Sequence, residues 1–141
     1  MTSEINTGAL GTSNPSTETI RKNFDLAAAE ITALQTMAGV GTAQAATAVG
    51  TNQATAAQLL TGFSLVAGAD ATVGVKLPVA AAKLVCFVKN NANAVLKVYP
   101  GTDDAINAIA ANGAFSMAAY TSAIFVSFDA TTWYSFPLVA S

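Results

Sequence analysis

Hydrophobic positions along the chain follow two different periods. Between residues 16 and 38 apolar side chains fall at Ile20, Phe24, Ala27, Ile31, Leu34 and Ala38, alternately four and three apart. That spacing puts them on one stripe of an α-helix, with Phe24, Ile31 and Ala38 at heptad position a and Ile20, Ala27 and Leu34 at d. Flanking residues mark its ends. Asn14 or Ser16 can cap it, Pro15 suits a first turn, Glu18 lies at the positive end of the dipole, and Gly39 and Gly41 terminate it. Glu18–Lys22 and Arg21–Asp25 are opposite charges four apart on the outer surface. From about Leu59 the period becomes two. Strands are predicted at 62–66, 72–77, 84–89, 94–99, 105–109, 114–117, 122–128 and 132–136, broken at Gly68-Ala-Asp70, Pro78, Asn90 to Asn93, Pro100 to Asp104 and Asn112-Gly113.

Short strands at this spacing imply a mainly β fold, a small antiparallel sandwich or barrel preceded by the helix and an extended linker. Expected core residues are Phe87, Val88, Leu96, Val98, Ile106, Ile109, Phe115, Ile124, Val126, Phe128 and Trp133. The chain divides into a polar arm (1–15), the amphipathic helix (16–38), an Ala/Thr-rich linker (39–60) and the β-domain (61–141). The helix stripe has two readings: it packs on its own domain, or it bundles with copies of itself or docks on another protein through Ile20, Phe24, Ala27, Ile31 and Leu34. The linker also has two. It is a flexible tether, or an extended segment laid against a neighbouring surface.

Composition sharpens this picture mainly by exclusion. Of 141 residues 10% are charged and none is histidine, while 52% are hydrophobic, with mean hydropathy +0.48. Alanine supplies 31 residues, so the apolar excess is made largely of small side chains. A net charge of −2 gives no basic field for nucleic acid. Without histidine the commonest general base and metal ligand is missing. The start, Met1-Thr2-Ser3-Glu4, has no basic region followed by an apolar run, so no signal peptide is expected. No apolar stretch reaches the roughly 20 residues of a membrane helix. Asp103-Asp104, the one adjacent carboxylate pair, sits in a Pro-Gly-Thr-Asp-Asp turn, where Asp bonds nearby backbone N–H groups. Cys86 lies between Val85 and Phe87 and reads as a packing residue. No cofactor, metal or catalytic signature emerges, and an enzyme is not expected. Low charge on a small-residue surface suits a chain whose surface is covered in an assembly, and residues 31–69 contain no charge at all.

One group of segments resembles a known family. Lys76-Leu77-Pro78, the Asn-rich turn from Asn90 running into Val98-Tyr99-Pro100, Ile106-Asn107, residues 114–119 and Trp133-Tyr134 look, in that order, like a β-domain of tailed-bacteriophage virion proteins. Residues 14–24 also resemble helical starts in phage structural proteins. The resemblance implies a structural virion component, made in the host cytoplasm. It would be a capsid decoration (cement) protein or head fibre, a homotrimer that binds the major capsid protein or another virion protein; the charge and the short apolar stretches add that neither nucleic acid nor membrane is an expected partner. The alternative is a head- or tail-fibre part whose β-domain binds a host glycan or receptor by stacking on Tyr120, Trp133 or Tyr134. No catalytic residue carries over.

Overall fold

Ser16 caps the first element, α1 (Thr17–Met37): its Oγ accepts from the Thr19 N–H at 3.2 Å and its carbonyl from the Ile20 N–H. Of the two caps expected from sequence, Ser16 performs the role. Glu18 pairs with Lys22 at 2.9 Å one turn on. The computed structural model describes residues 16–37 and 43–138. The expected arm 1–15, Ala38 and the terminating Gly39 and Gly41 lie outside the described residues. The helix falls in one unit and the strands in another.

Ten strands follow: β1 (Gln44–Thr47), β2 (Ala57–Gln58), β3 (Gly62–Ala67), β4 (Gly74–Lys76), β5 (Leu84–Asn90), β6 (Leu96–Tyr99), β7 (Ala105–Ile106), β8 (Phe115–Met117), β9 (Ser122–Ser127) and β10 (Thr132–Leu138). They form two sheets, of order β1-β3-β5-β9-β10-β7 and β2-β4-β6-β8. From β1 to β9 the chain alternates strictly between them. As a result β1, β3 and β5 stack in parallel, and so do β2, β4 and β6. Gln44 sits beside Ser64, and Ser64 beside Val88, a solenoid-like winding of roughly twenty residues per turn. After β6 the direction reverses. β8 runs antiparallel to β6, β9 to β5 and β10 to β9, while β7 joins β10 in parallel.

The mainly β expectation holds, whereas the purely antiparallel pairing is corrected. The fold is mainly β, with mixed sheets and solenoid-like stacking. Strand spacing cannot reveal this, because a short connection can turn back to the same sheet or cross to the other one.

The expected linker is corrected too. From Ala43 onward it belongs to the β unit: β1 pairs with β3, Ala48 N–H donates to Ala67 O, and Ala48, Ala56 and Leu59 are buried. One core lies between the sheets, built on Leu59, Val66, Leu77, Val98, Phe125 and Trp133. Of the expected core, Val88, Leu96, Val98, Ile106 and Trp133 are buried and Phe115 packs edge-on against Phe125. Ile109 is only half-buried. Phe87, Ile124, Val126 and Phe128 lie on the opposite face, because β9 turns Ala123, Phe125 and Ser127 inward.

Candidate functional site

The segments singled out in the sequence have architectural roles. Leu77 is fully buried, and the Pro78 carbonyl accepts the Trp133 indole N–H at 3.2 Å. Asp104 is buried, with Oδ2 accepting from the Ala80 N–H at 2.6 Å. Gly101 lies so close that an added Cβ would sit 2.5 Å from both Asp104 Oδ2 and Val79 Cα. Tyr99 donates its hydroxyl to Thr51 O at 2.8 Å. Asn90 is wholly buried. Its amide nitrogen donates to Ala94 O and Ala118 O, each at 2.9 Å, and its oxygen accepts from the Ala92 N–H. Asn107, at φ 53°, guards the open side of β10: its side chain bonds both the N–H and the hydroxyl of Ser135.

This placement corrects one expected contact. Trp133 is 0% exposed and its N–H is occupied, so it offers no ring to a glycan. Tyr120 and Tyr134 are exposed. Tyr134 leans on Phe128, ring centroids 5.6 Å apart, while Tyr120 sits in the turn before β9 at φ 59°, where its carbonyl accepts from Lys89 Nζ.

Nothing else among the described residues gathers into a reactive centre. Among the described residues no three His, Cys, Asp or Glu side chains could share a metal ion. Cys86 is buried in the core, and burial pushes its thiol up to about 12. Asp103 is exposed while its neighbour Asp104 is turned into the fold.

Two apolar surfaces stand out instead. On α1 the expected stripe is open: Phe24 is 71% exposed, Ile20, Ile31 and Leu34 are exposed, and Ala27 is half-buried. The second surface is the outer face of the six-stranded sheet. Register places Phe63, Phe87, Ile124 and Phe136 in one row across β3, β5, β9 and β10. Val85, Val126 and Tyr134 form the next row. Phe63 and Phe87 stack with centroids 4.5 Å apart. At one end the small Ser122 leaves a groove of about 310 Å³ between Leu65 and Leu138, floored by Phe63 and Phe87. At the other end Phe128 projects, 66% exposed, beside Tyr134. No family model matches the chain, and no curated protein or solved structure is significantly similar to it.

Sequence reasoning assigned Phe87, Ile124, Val126 and Phe128 to the core and so missed the face. The signal was in β9 and β5, which are apolar in both phases of the alternation; a one-sided sheet carries polar residues on its wet face.

Proposed function

We propose that the chain is a structural component of a bacteriophage virion, one that decorates and stabilises the capsid by binding coat-protein subunits as a homotrimer. The observation that carries this reading is the open seam of α1. Phe24, Ile31 and Leu34 are large, apolar and exposed on a helix that forms its own unit. A seam of that kind needs a partner helix or a groove, since a short amphipathic helix gains most of its stability from packing its apolar face. The architectural roles of Leu77, Pro78, Asn90, Asp104 and Trp133 fit a stable mount better than a binding site, and support a non-catalytic part. In this reading the β unit is a packed two-sheet body that stands on the capsid surface, and the helix contributes to trimerisation or docking.

The test is occupancy on purified capsids that lack the protein. The full chain is expected to bind in many copies at symmetry-related sites, and Phe24→Asp with Ile31→Asp to lower that occupancy at least about tenfold. No binding to capsids, or unchanged occupancy for the double variant, would refute the reading. Attachment of a handful of copies at a single vertex would make the chain a fibre part instead.

A further inference from the structure

The outer face of the six-stranded sheet has the chemistry of a buried surface. We propose that it is an interface between copies of this chain. Area is the first argument. Phe63, Phe128, Phe136 and Tyr134 are each between 39% and 66% exposed. At about 150–250 Å² per aromatic side chain they alone leave on the order of 400 Å² open. With Leu65 and Leu138 added, the patch reaches the roughly 300–600 Å² that is the largest found on typical monomers. It also supplies most of the roughly 800 Å² per partner of a stable interface.

Charge is the second argument. Lys89 is the one charged residue in these rows, and its ammonium is tied back to the Tyr120 carbonyl. A face whose single charge is already bonded within the chain offers little to steer a strongly charged partner, whereas it is compatible with itself. Copies that each carry a net charge of −2 also repel one another little.

Shape is the third. The face carries a projection at one end, Phe128 with Tyr134, and a groove of about 310 Å³ at the other, between Leu65 and Leu138. One surface bearing both halves is self-complementary: the projection of one copy fits the groove of the next. That pairing works across a two-fold axis or as the repeated contact of a closed ring. Because face and helix seam belong to one chain, association through either raises the effective concentration for the other.

This inference does not depend on the capsid reading. Self-association that survives on a chain unable to bind capsids would remove that reading and leave this one intact. The test is sedimentation equilibrium of the full chain, with Phe63→Thr and Phe136→Thr together on the sheet face. Threonine keeps strand preference and removes the rings. The pair is expected to weaken self-association at least about thirtyfold, while circular dichroism and Trp133 emission stay native. Unchanged self-association would overturn the proposal and leave the face to α1 or to a coat protein. If the double variant does not fold, Ser122→Cys with Tyr134→Cys decides. These positions lie four residues out of register on neighbouring strands, too far apart for a bond within one chain. Disulfide-linked dimers and larger species are then expected on mild oxidation, and monomer alone would contradict the proposal.

Discussion

Single residues tie the winding together, and Trp133 is the most exacting of them. It fills the core and closes a hydrogen bond to Pro78, 55 positions earlier in the chain. Trp133→Ala is expected to destabilise the β unit by about 3–5 kcal/mol, through lost contacts and the cavity left behind. Trp133→Phe should cost about 1–3 kcal/mol, because most of the ring remains but the Pro78 carbonyl loses its donor. Urea unfolding followed by circular dichroism measures both.

Two Asp-Ala-Thr turns act in a different way. In each, an Asp Oδ1 accepts two backbone N–H groups and a threonine hydroxyl: Asp70 from Thr72 and Val73, Asp129 from Thr131 and Thr132. The Thr72 hydroxyl at Asp70, and the Thr131 N–H at Asp129, hold both carboxyls below the usual 3.8. A carboxylate with a lowered folded value stabilises the fold above its unfolded value, and that contribution is lost as pH falls through the folded value. Thermal melts between pH 6 and 2 should therefore lose stability below about 3.8. Asp70→Asn with Asp129→Asn should show a flatter acid limb. An identical limb in the variant would contradict this role.

At the scale of elements, the alternation of apolar and polar residues made most strands legible. The predicted strands at 62–66, 84–89 and 122–128 match β3, β5 and β9 to within a residue or so at each end. Two things were hidden. Partner choice was one: the pattern gives a strand's faces but not its neighbours, so the parallel stacking of β1, β3 and β5 was invisible. The other was the burial of small residues. Residues 43–60 have few large side chains, yet Ala48 and Ala56 are buried at the end of the winding, where β1 and β2 are the first strands of the two sheets. Leu59 distinguishes the two accounts of this stretch. In a tether Leu59→Ala would be silent. Here Leu59 is fully buried, and its N–H donates to Lys76 O at 2.7 Å. The substitution should cost about 2–5 kcal/mol, read from the midpoint of urea unfolding. Pro137 shows the complementary rule. It pairs with Ala123 on β9, while β7 covers β10 only at Thr132 and Trp133, so a residue without an N–H falls where one side of the strand is open.

At the scale of the whole molecule, the shortage of charge acquires a location. The core between the sheets is apolar apart from hydrogen-bonded groups such as Asp104 and Asn90, and the outer face of the larger sheet is apolar too, with exposed Phe63 and Phe136 flanking half-buried Phe87 and Ile124. The helix repeats the theme with Phe24 and Ile31. The candidate surfaces were thus half legible. The heptad spacing announces the helix seam, whereas β5 and β9 are apolar in both phases, so their alternation does not say whether Phe87, Ile124 and Val126 face the core or the outside. The central claim is that the apolar sheet face is covered by other copies of the chain. The mass of the unmodified 14.2 kDa chain between 1 and 100 µM tests it most directly, by sedimentation equilibrium. A discrete species of three chains, stable across that range, is the expected result. A monomer persisting to the highest concentration would contradict it.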